Sequence, residues 1–191
     1  MEAIYLKGKY VFLREWQDSD LPKLYEWRNS FHYREFCSMR KKLNSFEEFQ
    51  KEFLNDIQKD RPLQCMICLK STNESIGTIY AHDMSRTHGN ATITTFLAEE
   101  KHSLGYGAEA FTVFCAYVIQ HYALHKIVSD VYSHNIRVPK MLERAGFIQE
   151  GYFKEHRRNQ KGDWLDIIRL SLFEKDSRNL QNFAAQLAKK L

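Results

Sequence analysis

The chain has 191 residues, 43% of them hydrophobic and 14% aromatic, with a formal charge of +4. That length buries one good core and is too short for two ordinary enzyme domains; no Pro-rich, Ser/Gly-rich or repetitive tract divides it. The mild charge, with short basic clusters at Arg40-Lys41-Lys42, Arg157-Arg158 and Lys189-Lys190 and no aromatic residues alternating with them, argues against a nucleic-acid ligand. Residues 1–9 lack the apolar core of a secretion signal, and the apolar stretch within residues 110–119 is too short to span a bilayer, so a cytoplasmic protein without membrane contact is expected.

In chain order, residues 10–15 read as a strand, and Asp18-Ser19-Asp20 offers N-caps for a helix bearing Leu21, Leu24 and Tyr25 and running toward Trp27. Ser45-Phe46-Glu47-Glu48 is a capping box. It opens a helix whose Phe46, Phe49, Phe53, Leu54 and Ile57 are expected to share one face, closed by Arg61-Pro62. Residues 63–69 and 76–82 predict an antiparallel hairpin, and Gly89-Asn90 turns the chain into a strand over 91–97. Cys65-Met66-Ile67-Cys68 lies in that apolar run without a second pair or a His at ligand spacing, so it reads as buried thiols rather than a metal or redox site.

Phe111, Phe114, Cys115, Val118 and Tyr122 recur at helical spacing and predict a helix from about Gly105 to Tyr122, followed by a strand over 126–132. Residues 136–144 suggest a short helix ended by Ala145-Gly146. Residues 147–155 and 165–173 suggest a closing antiparallel pair around Asn159-Gln160-Lys161-Gly162-Asp163. Leu180, Phe183, Ala184, Leu187 and Leu191 put an apolar stripe on a C-terminal helix, to dock on its own domain or in a dimer. The expected organisation is one domain over 1–175 with that helix over 176–191, as a monomer or homodimer.

The most informative segment is His102-Ser103-Leu104-Gly105-Tyr106-Gly107-Ala108, a glycine-punctuated loop feeding a long helix. Helix-starting N–H groups lack carbonyl partners and glycine admits close backbone approach, so such a junction suits phosphate oxygens. A nucleotide-triphosphate loop is excluded, because neither glycine is followed by Lys-Ser/Thr. Gly105-x-Gly107-x-x-Ala110 with Asp130 about twenty residues on fits a dinucleotide fingerprint. However, residues 98–104 separate the strand from the glycines, and the preceding hairpins do not belong in a doubly wound sheet.

The strand over 91–97 and the loop that follows resemble the acetyl-CoA motif [Arg/Gln]-x-x-Gly-x-[Gly/Ala] of the GCN5-related N-acetyltransferase (GNAT) superfamily. Asn135 with Leu142-Glu143-Arg144-Ala145-Gly146-Phe147 resembles a second segment of that family. Gly8 to Asn29, and Glu150-Gly151 with Gly162-Asp163-Trp164-Leu165-Asp166, resemble the opening and closing hairpin of its ribosomal-protein alanine acetyltransferase branch. The resemblance covers about residues 6 to 175 and implies an α/β (α+β) GNAT fold. Its sheet would be mixed, mostly antiparallel, of about seven strands splayed between two parallel ones and flanked by about four helices.

It further implies acetyl-CoA as cosubstrate without a metal, and transfer to a primary amine by direct attack on the thioester. Phe96, Leu97, His102, Ser103, Leu104, Gly105, Tyr106, Gly107, Ala108, Asn135 and Lys140 would bind the cofactor, with Asn135 also able to cap the next helix. His102 stands where the family has Gln or Arg. The family's acid and base do not carry over: Leu142, Val138 and about Thr92 occupy their positions. Asn135, Ser133 and Glu99 are weak catalytic candidates, with Glu100, Asp83, His134 and Tyr132 also near in sequence. Trp27, Arg28, Asn29, Tyr33 and Arg34, along with Phe31, are candidates for the acceptor cleft. The run Met39-Arg40-Lys41-Lys42 disfavours a polycationic acceptor and leaves a protein N-terminus, an amino acid or an amino-sugar type amine. The alternative is a non-catalytic acyl-CoA-binding or regulatory module that keeps the cradle without the acid and base.

Overall fold

The structure is a computed structural model describing residues 4–37, 42, 45–61, 63–102, 104–159, 161–180 and 182–183. Strands β1 (Tyr5–Lys7) and β2 (Val11–Glu15) lead into helices α1 (Leu21–Asn29), α2 (Phe31–Phe36) and α3 (Phe46–Lys59). Strands β3 (Leu63–Leu69), β4 (Ser75–Ser85) and β5 (Asn90–Leu97) follow, then helix α4 (Tyr106–Tyr122), strand β6 (Lys126–Tyr132), helix α5 (Arg137–Arg144) and strands β7 (Ile148–Arg158) and β8 (Trp164–Phe173). One eight-stranded sheet results, in the order β1-β2-β3-β4-β5-β6-β8-β7. Among the described residues only β5 and β6 are parallel neighbours.

Two apolar layers sandwich the sheet, as the period of two in β3 shows. Leu63, Cys65, Ile67 and Leu69 join Phe111, Phe114 and Val118 of α4 on one face. Met66 and Cys68 join Trp27, Tyr33, Phe49 and Phe53 of α1 to α3 on the other. Cys65 and Cys68 therefore point to opposite faces, and neither a disulfide nor a shared metal can join them; burial pushes the Cys65 thiol up to about 12. Leu180 and Phe183 are buried in the α4-side core, while Ala184, Leu187 and Leu191 lie outside the described residues. Among the described residues no helix is long and apolar enough to cross a membrane.

Several local expectations are revised. Asp18-Ser19-Asp20 forms a 3-10 turn and gives α1 no side-chain cap. Asp20 instead accepts a two-pronged hydrogen bond from Arg14 at 2.7 and 2.8 Å and one from the Gln17 N–H at 2.8 Å. The chain breaks at Ser30, whose extended backbone ends α1 and whose Oγ accepts from the Tyr33 N–H at 3.1 Å, starting α2. Ser45 caps α3 through the Glu48 N–H at 3.1 Å, but Leu54 is 45% exposed. Asp56 is buried in its stead, paired with Arg61 at 3.2 Å. The short edge strand β1 carries no periodic signal and was not anticipated.

α4 is tied to the β1–β2 turn by Glu109. Its buried carboxylate accepts from the backbone N–H of Lys9, of Tyr10 at 3.1 Å and of Val11 at 3.3 Å. The N–H of the buried Val11, and in part that of the half-buried Tyr10, lose their acceptor once the acid is removed. Glu109→Ala is expected to lower unfolding free energy by about 3 kcal/mol in urea denaturation, and a loss below about 1 kcal/mol would show that the clamp contributes little.

Candidate active site

β5 and β6 pair only at Asn90↔Lys126, Ala91↔Ile127 and Thr92↔Val128, and then part. Each stays fully paired on its far side, β5 with β4 as far as Leu97↔Gly77 and β6 with β8 as far as Tyr132↔Ile167. The gap between them opens a cleft of about 1090 Å³ that passes through the sheet. On the α4 side its walls include Leu97, Gly107, Phe111, Asn135, Val138 and Leu142. On the opposite side they include His32, Phe36, Tyr80, His82, Thr94 and Asp130.

α4 starts at the mouth of this gap. Gly105 precedes it with φ +75°, a left-handed conformation that glycine adopts without strain, and no side chain caps the helix. The Glu109 N–H reaches the Gly105 carbonyl at 3.0 Å, which leaves the N–H groups of Tyr106, Gly107 and Ala108 without a partner among the described residues. A Cβ on Gly107 would approach only Leu97 side-chain carbons, at 3.8 Å and beyond, so the space above these donors is open. Free donors and the positive end of a 17-residue helix make an anion cradle.

Of the residues singled out for the cofactor, Phe96, Leu97, His102, Gly105, Gly107, Ala108 and Asn135 line the cleft, and Ser103 lies outside the described residues. Leu104 is exposed on the loop, the Tyr106 side chain packs against the α4-side core, and Lys140 is exposed on α5 away from the cleft. His102 turns inward: its Nε2–H donates to the Leu97 carbonyl at 2.9 Å and its ring stands edge-on to His32 at 4.3 Å. It braces the loop, which accounts for its replacing a longer cationic or amide side chain. Asn135 Oδ1, one residue before the α5 N-cap Ile136, accepts from the Val138 N–H of the first turn at 3.3 Å.

The acceptor candidates are corrected. Trp27 and Tyr33 are buried against Phe96 at 5.6 and 5.2 Å, and Arg28 is buried in a pair with Glu52 at 3.0 Å. Neither Asn29 nor Arg34 lines the cleft; the exposed Phe31 does not either. The break at Ser30 resets the helical phase, so His32 and Phe36, four apart, face the cleft in place of their neighbours. Burial, then the proximity of Tyr80, holds the Tyr33 hydroxyl well above its ordinary pKa.

Among the catalytic candidates, Glu99 sits exposed on the rim, while Ser133 does not line the cleft and its N–H donates to the Asp166 carbonyl at 3.0 Å. Leu142, 1% exposed, is a core residue. The polar group that sequence reading missed is His82, which follows the apolar stretch Ile79-Tyr80-Ala81 of β4. Its Nδ1 lies 2.9 Å from Asp83 Oδ2 and its Nε2 3.1 Å from Thr94 Oγ1. Beside it Asp130 is held by Arg169 through a fork of two 2.7 Å hydrogen bonds. Among the described residues no group of three or more His, Cys, Asp or Glu side chains is placed to hold a metal.

A family profile described as an acetyltransferase (GNAT) domain matches residues 11–148. The probable N-acetyltransferase YjcK of Bacillus subtilis (strain 168) is 27% identical over 180 residues, covering 90% of this chain and 98% of that protein. The structure of spermidine N-acetyltransferase from Vibrio cholerae in complex with CoA and spermine superposes with a TM-score of 0.81 at 19% identity, over 90% of this chain and 99% of the other. A GCN5-related N-acetyltransferase from Brucella melitensis gives 0.79 at 18% identity, over 98% and 86%. At such identities these structures speak for the fold alone. The matched stretch, in contrast, runs from β2 to the first residue of β7 and spans the parallel pair, the gap and the uncapped start of α4. The chain therefore belongs to the GNAT family and is an acetyl-CoA-dependent N-acetyltransferase.

Proposed function

We propose that this enzyme acetylates the primary amine of a protein N-terminus, an amino acid or an amino-sugar type compound, with the two substrates meeting through the sheet from opposite faces. The gap beyond Thr92 and Val128 carries the reading, because it links the anion cradle on the α4 side to a polar wall on the other. The chain suits a pyrophosphate with a pantetheine arm. Tyr106, Gly107 and Ala108 would hold the pyrophosphate by their N–H groups, and the facing edges of β5 and β6, not paired to each other past the vertex, would take the amides of the arm. Acetyl-CoA supplies the thioester carbon that is attacked and the thiol that leaves.

On the far side the cleft carries Asp60, Asp83 and Asp130, but cations accompany them. Arg169 holds Asp130, while Arg61 and Arg157 also line the wall. A face of mixed charge favours an amine on an otherwise neutral or anionic body over a polycation. The likeness of the opening and closing hairpin to ribosomal-protein alanine acetyltransferases supports peptide N-termini as the first acceptors to test. The spermidine enzyme among the structural neighbours makes a polyamine the second reading.

Free-thiol release with acetyl-CoA should be measured against alanine- and serine-initiated peptides, free amino acids, an amino-sugar nucleotide and spermidine. Turnover with peptide, amino-acid or amino-sugar amines is expected; turnover confined to spermidine would overturn the acceptor assignment, and CoA binding without release from any amine would sink the transfer reading. Gly107→Glu is expected to keep the thermal midpoint and abolish CoA binding in calorimetry, since its side chain would project a negative charge toward the cradle.

Cys37, whose thiol lines the cleft and donates to the Thr95 carbonyl at 3.6 Å, is held protonated: burial pushes its pKa up to about 12. A thiol held protonated is a poor nucleophile at neutral pH, which supports direct attack by the amine. Cys37→Ala is therefore expected to retain turnover, and intact-mass measurement after incubation with acetyl-CoA alone should show no acetylated protein.

A further inference from the structure

The wall opposite α4 contains a polar arrangement at the irregular end of β4. β4 is irregular between His82 and Ser85, and Asp83 there takes a left-handed backbone, φ +48°. In a regular strand, consecutive side chains point to opposite faces. The irregularity instead turns the Asp83 carboxylate back onto the His82 ring, at 2.9 Å from Nδ1. Non-glycine residues in this conformation cost free energy and cluster where a side chain must be aimed.

With Nδ1–H donated to the Asp83 carboxylate, the Nε2 lone pair faces Thr94 and accepts its hydroxyl proton at 3.1 Å. Thr94 lies two residues past the vertex of the parallel pair, on the wall away from α4, where the cleft crosses the sheet. Its remaining oxygen lone pair is available to a group arriving there.

We propose that His82, oriented by Asp83 and acting through the Thr94 hydroxyl, takes the proton that the acceptor ammonium must lose before it attacks. The inference rests on the acetyl-transfer reading above. The ammonium gives one proton to Thr94 Oγ1 as the Thr94 proton passes to His82 Nε2, leaving an imidazolium paired with Asp83. The amine keeps its electron pair, which forms the C–N bond. The C–S bond breaks with its pair on sulfur, and sulfur takes the second amine proton. The imidazolium then returns its proton to solvent through the cleft mouth.

The surroundings keep the ring ready. Burial holds the His82 pKa below the ordinary histidine value, Asp83 works against that shift, and Arg61 at the end of α3 adds to it. Tyr80 lies 5.7 Å away on β4, and Asp130 of β6 faces the ring with its charge tied to Arg169 of β8. A neutral imidazole at pH 7 can accept a proton; Asp130, with both oxygens in the fork, is engaged already. Glu99 is exposed on the rim, and His32 packs against His102 and Phe36.

The test uses the full-length protein, acetyl-CoA and whichever amine of the panel releases thiol fastest. His82→Gln is expected to lower kcat about 100-fold with KM for acetyl-CoA unchanged. It should also erase a limb of the kcat/KM profile that rises with pH below about 6.5. That limb should stay in place when acceptors of different amine pKa are compared. Asp83→Asn should shift it to lower pH, because the carboxylate raises the His82 pKa. Thr94→Val should be impaired and Thr94→Ser restored.

A readout independent of turnover, and of whether His82→Gln folds, is nitrogen NMR of histidine-labelled wild type and Asp83→Asn. The resonance that Asp83→Asn perturbs most should show an Nδ1–H tautomer titrating below the ordinary range. A His82→Gln enzyme within about threefold of wild type with its limb intact, or an Nε2–H tautomer at pH 7, overturns the assignment. Absence of thiol release from wild type with every amine overturns the transfer reading and this assignment with it; release by wild type with an unaltered His82→Gln profile overturns this assignment alone.

Discussion

β5 and β6 hold each other through three residue pairs and then separate, although each remains hydrogen-bonded along its outer edge. A parallel pair closed along its length would bury its backbone groups and leave a continuous sheet between α4 and α1 to α3. Parting the strands leaves polar edges that cost about 1–3 kcal/mol for each group without a partner. Water or a ligand with amides of its own can meet that demand. The cleft is thus built from backbone, and its side chains are refinements of a hole that the topology makes.

Two sets of interactions keep that hole in place. The long strand partners β4 and β8 fix the outer edges, while the Glu109 clamp ties α4 to the β1–β2 turn, so the free N–H groups at the start of the helix stay aimed at the gap. On the loop itself, His102 spends its ring on the Leu97 carbonyl and on His32. The anion cradle consequently relies on backbone donors and the helix dipole. The cradle's N–H groups open on one face of the sheet, and the His82, Asp83 and Thr94 arrangement stands on the other.

Much of this was legible in the amino-acid order. The apolar run of residues 63–69, the strand pattern of 126–132 and the 3.6-residue stripe through Phe111, Phe114 and Val118 place strands and helix almost to the residue. The loop from His102 to Ala108 announces an anion site because unpaired helix-start donors and glycine are local properties. The residues expected at the acceptor side lie elsewhere for an equally local reason: α1 turns Trp27 and Arg28 into the interior by its own phase, and the new helix that Ser30 starts does the same with Tyr33.

By itself, then, the sequence determined the elements other than β1 and α2, the cradle and the likeness to an acetyl-CoA-dependent family, since each depends on periodicity or on contacts within a few residues. Only the tertiary structure decided that β5 and β6 part after Thr92, that α2 turns His32 and Phe36 toward the gap, and that Leu142 is core. It also brought Asp83 back onto His82 and Thr94 of the next strand beneath the same ring. Those are outcomes of strand pairing across the sheet and of one left-handed residue, and neither is encoded in the spacing of residue types along the chain.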